Sequence, residues 1–196
     1  GVALFHTLFN VLGVMLFLPF IGLLSKGLVR AYPDRTKKTT KFIQSVTPEV
    51  SEAAIEALKN EVLHLMTNVL KHNLHALHIP ENAVFPEVDK GKRPSQSDQY
   101  ADLKLLQSDI FSFAATILSA ELSKEESKLV NKFLHAARMS LHSAKSVKDE
   151  VHHFEEFETS DNEFLHSENE LFRQRLIKLY KKVLTVMAEK EHSDIA

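Results

Sequence analysis

The sequence predicts an all-α protein, in which an N-terminal transmembrane helix precedes an antiparallel bundle of helices. Three observations predict it. The first 25 residues contain no charged side chain. Apolar residues later in the chain recur at alternating intervals of three and four, the period of one helix face. Only five glycines and six prolines occur in 196 residues, too few turn formers for a protein of many short strands.

The opening element is the most apolar. Residues 11–24 are entirely apolar, Gly or Pro, and before them only His6, Thr7 and Asn10 interrupt the run. A helix of about 20 such residues crosses a hydrocarbon layer roughly 30 Å thick. Two other readings compete. A secretory signal would carry its basic residues before a shorter apolar run; here they follow it. A buried core helix ended by Pro19 is the other. Length favours the membrane, and residues 1–30 read as a transmembrane segment. The absence of an initiator Met suggests a chain cut from something longer. His6 and Asn10 lie one turn apart on one face, where polar groups either line a permeation path or bond neighbouring helices. They are the candidate residues for substrate or ion binding.

Residues 31–47 read as a basic linker. Between 26 and 41 stand Lys26, Arg30, Arg35, Lys37, Lys38 and Lys41 against the single acid Asp34, leaving 18 basic and 25 acidic residues in 42–196. Basic residues beside a membrane exit favour the cytoplasmic side, so residues 31–196 are expected inside the cell. A bundle of net charge −7 lacks the basic footprint that nucleic acid requires.

Residues 48–196 read as the bundle. Thr47, Pro48 and Glu49 open a helix with a capping hydroxyl, a first-turn proline and an acid at the positive dipole end. Ile55, Leu58, Val62, Leu65 and Val69 form its stripe, and it is expected to run to about residue 79. Pro80, Pro86, Gly91 and Pro94 then mark a long loop. Leu103, Leu106, Ile110, Phe113 and Ile117 stripe the next helix. Ser123 with Glu126 is a capping box for a third helix, whose stripe includes Val130, Phe133, Ala137, Leu141, Ala144, Val151 and Phe154. Ser160 with Glu163 suggests a second box opening a fourth, continued by Leu176, Leu179, Val183 and Val186. Such helices bury their stripes by packing on one another.

Chemistry-bearing clusters are few. Phosphate loops, metalloprotease helices and nucleophile elbows are absent, so no enzyme and no cofactor in this segment are expected. There is no cysteine. His72, His75 and His78 spread over about 120° of a helix, and His152, His153, Glu155 and Glu156 point in different directions, so both sets read as structural or solvated and no metal site is expected. His135 and His142, seven apart, read as partly buried inward positions. Lys178, Lys181 and Lys182 read as a solvated face that could touch lipid headgroups.

The stretch ALFHTLFNVLGVMLFLPF resembles a segment of bacterial type II sodium/phosphate cotransporters, with His6, Phe9, Asn10, Gly13 and Pro19 at the matching places. From about Thr47 the chain is similar to the PhoU-like helical domain that follows the transporter in many members, and residues 136–157 look like a PhoU helix in register. The resemblance implies the C-terminal part of a sodium-dependent phosphate cotransporter in the cell membrane, multi-pass in full length, with a PhoU-like bundle. Sodium and phosphate would be the transported species; membrane lipid and upstream transporter helices would be partners. The paired Gln-Ser-Ser-Ser motifs of that family do not occur here and would lie upstream. Arg138 and His142 stand where PhoU proteins carry metal-binding acids. The sequence does not choose between a bundle that regulates transport and one that stabilises a homo-oligomer. An alternative is a membrane-anchored helical adaptor or PhoU-type regulator without transport activity.

Overall fold

The computed structural model describes residues 2–22, 39–47, 51–87, 91 and 94–192. Among these residues every regular element is helical. The chain divides into two compact units, Gly1–Lys38 and Thr39–Ala196.

In the first unit, helix α1 spans Val2–Phe17 and is followed by a 3-10 turn, Leu18–Phe20, with Pro19 in its first turn. Proline has no N–H to give and its ring crowds the preceding turn, so the α-helical ladder gives way there. Of the transmembrane segment expected over residues 1–30, the structure thus describes a helix over Val2–Phe17 and the turn that follows it. Sixteen residues reach about 24 Å, short of a roughly 30 Å layer. No helix among the described residues is long and apolar enough to cross a membrane. Residues 23–30 of that expectation lie outside the described residues, as do Lys26, Arg30, Arg35, Lys37, Lys38, Pro48 and Glu49. Phe5, Leu8, Phe9, Leu12, Val14, Met15, Leu16 and Phe17 are all exposed. They surround the helix axis, so α1 has no dry side within its own unit.

The second unit is a helical bundle. Helix α2 covers Ser51–Ala76, α3 Gln96–Leu118, α4 Lys124–Thr159 and α5 Glu163–His192. The stripes predicted for α2 and α3 are its main core. Leu58, Leu65, Ile110 and Ile117 are wholly buried together with Val130, Ala137 and Ala144 of α4. The α4 residues stand seven apart, and two of them are alanines, so helix backbones approach closely along that line. Each leucine buried there contributes about 1.5–3 kcal/mol relative to exposure. Directions follow from the hydrogen bonds. Gln99 at the start of α3 reaches His75 at the end of α2 (2.9 Å), so those helices run antiparallel.

Helix α5 does not extend that core. Its Leu176, Ile177, Val183 and Leu184 pack around Tyr180 in a second cluster, with Leu70, Leu74, Leu77 and Ile79 at the end of α2 and Val84 and Phe85 of the following segment. Part of the predicted loop is therefore core, and a short 3-10 turn, Glu81–Ala83, carries it.

Helix ends follow their caps. Helix α2 stops at Ala76 rather than near 79. His78 takes φ 52°, the Ile79 N–H bonds Leu74 O (2.8 Å) and the His78 N–H bonds His75 O (3.2 Å). That is a Schellman closure, with a histidine where glycine is usual and Ile79 folded back onto Leu74. The Ser123–Glu126 box forms as predicted, with both reciprocal bonds present. The Ser160–Glu163 box does not. Ser160 ends α4, and Asn162 caps α5: its Oδ1 accepts from Phe164 N (3.0 Å) and its carbonyl accepts from His166 N (3.1 Å).

Candidate functional site

His6 and Asn10 share one face of α1, as their spacing requires, and they bond to each other. The Asn10 amide donates to His6 Nδ1 at 3.3 Å. An amide nitrogen can only donate, so that ring nitrogen serves as acceptor. Among the described residues no group of three or more His, Cys, Asp or Glu side chains could hold a metal ion.

The three histidines of α2 separate into three environments. His72 is buried and stacks obliquely on Tyr100, ring centroids 6.0 Å apart; neither of its ring nitrogens has a partner. Burial pushes its pKa below the ordinary imidazole value, so it sits in the bundle as a neutral ring. Half-buried His75 accepts from Gln99. Exposed His78 meets Glu158 at 3.0 Å, and Glu158 also holds Arg173, which donates to Leu77 O at 2.6 Å. This trio joins the ends of α2 and α4 to α5. It closes the bundle rather than gathering a ligand.

His135 and His142 are exposed on α4, which corrects the expectation that they turn inward: the inward line of that helix is Val130, Ala137 and Ala144. His152 and His153 are exposed as well, and His153 lies 3.6 Å from both Glu150 and Glu156. Lys178, Lys181 and Lys182 form an exposed set on α5.

The most organised polar site in the second unit is one that the sequence reading passed over. The Glu61 side chain is wholly buried on α2, and it accepts three consecutive backbone N–H groups from the segment before the helix. Lys41 N approaches its two oxygens at 3.1 and 2.9 Å, Phe42 N at 2.7 Å and Ile43 N at 3.2 Å. These donors belong to the start of the 3-10 turn Ile43–Ser45, where such groups lack partners within the turn and favour an anion. His64 contributes a fourth contact, Nδ1 to Oε1 at 2.9 Å, while its Nε2 meets the Asn68 amide at 2.9 Å. Because that amide donates, Nδ1 carries the proton and points at the carboxylate. Burial alone would raise the Glu61 pKa. The bonds from His64 and from the Phe42, Lys41 and Ile43 backbone outweigh it and hold the pKa below the ordinary carboxyl value. Val46 completes the attachment by packing on the main core.

One signal for this site was present. Glu61 falls on the stripe formed by Leu58, Val62 and Leu65, where an acid is costly unless bonded. The arrangement is an anchor: it fixes the stretch leading into the bundle without exposing a reactive group. A second polar network, deeper along α2, links Asn73 to Tyr180 Oη (3.0 Å) and Ser143 Oγ (3.2 Å), and burial pushes the Tyr180 pKa up. A cleft of about 280 Å³ at the end of α2 is lined by His75, His78, Ser95, Gln96 and Glu155, among others. Compared with protein-family models, with curated proteins and with solved structures, the chain matches none of them.

Proposed function

We propose that this chain forms the C-terminal part of a sodium-dependent phosphate cotransporter, its apolar segment seated in the cell membrane and its PhoU-like bundle a cytoplasmic regulatory or assembly module. The observation that carries the reading is α1. It has no charged residue, and its large apolar side chains are exposed on every side, a surface that suits lipid or neighbouring membrane helices and is costly in water. The resemblance of residues 3–20, with His6, Phe9, Asn10, Gly13 and Pro19, supports the choice of transporter family.

A helix interrupted by proline short of full span also has a place in such proteins. Secondary transporters build their sites from discontinuous helices, whose freed backbone groups are covered by neighbours. Alone, α1 could not enclose a path; it would act with upstream helices. The Glu61 anchor then has a use. It fixes residues 41–43 to α2, so the stretch by which the chain enters the bundle is held in place.

The test is sodium-dependent uptake of labelled phosphate by vesicles that contain the full-length protein. Uptake driven by an inward sodium gradient and absent in potassium is the expected result. Uptake no greater than in empty vesicles would remove the transporter reading.

A further inference from the structure

Helix α5 carries a second face that the bundle covers only at its start, where Phe172 stacks on Phe154 of α4 (ring centroids 5.2 Å apart). Its inward line is Leu176, Tyr180 and Val183. Leu171, Phe172, Leu179 and Val186 are 42, 41, 55 and 46% exposed. Phe172, Leu179 and Val186 stand seven apart and share one line of the helix. At about 100° per residue, Leu171, Phe172, Leu179 and Val186 fall within one arc of roughly 120°, together with Arg175, Lys178 and Lys182. All three cations are exposed.

The charge pattern says what kind of surface would cover it. Residues 171–186 contain five basic and no acidic residues, although residues 42–196 as a whole are acidic by seven charges. Arg173 is engaged inward with Leu77 and Glu158, so the outward cations are those beside the exposed apolar line. Glu170 immediately precedes the stretch, and Glu168 and Glu189 lie beyond its two ends on the same side of the helix. A second copy of this helix would set Arg175, Lys178 and Lys182 against their own kind. An anionic lipid surface instead meets both features, because the apolar side chains enter the headgroup boundary while Arg and Lys extend along their stems to the phosphates.

We infer that this face of α5 docks on the anionic headgroups of a membrane surface. Each outward cation near such a surface strengthens attachment by about fivefold, so removing three weakens it by roughly 100-fold.

The chain has no cysteine, so single labels can be placed at will. In the full chain, Leu179→Cys carries an environment-sensitive fluorophore, and Asp109→Cys on the exposed side of α3 serves as control. Vesicles of phosphatidylcholine are compared with vesicles holding about a third phosphatidylglycerol. The Leu179 label is expected to shift to the blue and to be quenched by spin-labelled lipid only in the anionic vesicles. Arg175→Gln, Lys178→Gln and Lys182→Gln combined abolish the response, with helicity and melting unchanged. A Phe17→Cys label reports separately whether α1 meets lipid, so failure of the membrane reading and failure of this one are distinguishable. An unchanged Leu179 label in anionic vesicles would overturn the proposal. So would a shift in plain buffer that grows with protein concentration, since that assigns the face to a second copy, or an equal shift in phosphatidylcholine alone.

Discussion

Helices α1 and α2 draw on the same apolar residue types and put them to opposite use. In α2, Leu58, Val62, Leu65 and Val69 occupy one stripe and are buried against α3 and α4. In α1, apolar residues surround the axis and stand exposed. The difference is one of pattern as well as of hydrophobicity: α1 carries no charged residue, whereas α2 carries charged residues off its stripe. A stripe can be satisfied by neighbouring helices of the same unit. A cylinder needs an apolar surrounding on all sides, and lipid supplies that. Within the second unit, the Glu61 anchor ties the chain to α2 at Lys41, Phe42 and Ile43.

The contrast can be broken by substitution, and the largest effect should come from the stripe. Leu58→Ala or Leu65→Ala removes a wholly buried side chain and should cost the bundle about 2–5 kcal/mol in urea unfolding. Leu12→Ala, the same change on α1, should leave that unfolding transition within about 0.5 kcal/mol. Equal losses would mean that α1 belongs to the bundle core after all.

Next in size is the anchor. Glu61→Ala strands backbone donors and should cost about 2–3 kcal/mol. Its more particular sign is in hydrogen exchange, where the amides of Lys41, Phe42 and Ile43 should lose protection while those of α3 keep theirs. Glu61→Gln keeps the shape, loses the charge and should fall between.

Acid sharpens the account through two groups of the same sign. The His72 pKa is lowered in the fold, so the unfolded chain takes up the proton first. Stability should decline as pH falls below the ordinary imidazole value, about 6.5. The Glu61 pKa is lowered as well; its contribution is full above the ordinary carboxyl value and is lost as pH falls through the folded one. His72→Leu should remove the first decline and leave the second. By deleting two buried, unpartnered ring nitrogens it should also stabilise the bundle at neutral pH by about 1 kcal/mol. Melting temperature followed against pH for both proteins measures this directly. The smallest effect is expected at the capping box, where Ser123→Ala should cost about 0.5–1 kcal/mol.

Much of the bundle was legible because its signals are local. The intervals of three and four between Leu103, Leu106, Ile110, Phe113 and Ile117 depend on helix geometry alone, and the Ser123–Glu126 box spans three residues. What escaped depends on partners distant in sequence or on backbone. Glu61 is bonded by N–H groups that every residue but proline carries, 18 to 20 positions away, so nothing in residue identity marks its donors. The boundary between α4 and α5 differs from the expected one because Ser160 and Asn162 are both competent caps, and chain direction after Thr159 decides between them. The end of α2 moved because a histidine adopts the left-handed turn that glycine would have advertised. The inward side of α4 was legible at Ala137 and Ala144, yet small residues speak faintly beside His135 and His142.

The surroundings of α1 are the claim on which the reading of function rests, and chemical access to its side chains tests them most directly. Single cysteines at Phe9, Val14, Met15 and Phe17, all exposed, sample its whole circumference at about 100° per residue. With the full chain in lipid vesicles, a water-soluble maleimide should leave all four unmodified while labelling Asp109→Cys to completion. Ready labelling of all four, with the chain dispersed in buffer and not bound to the vesicles, would contradict the account.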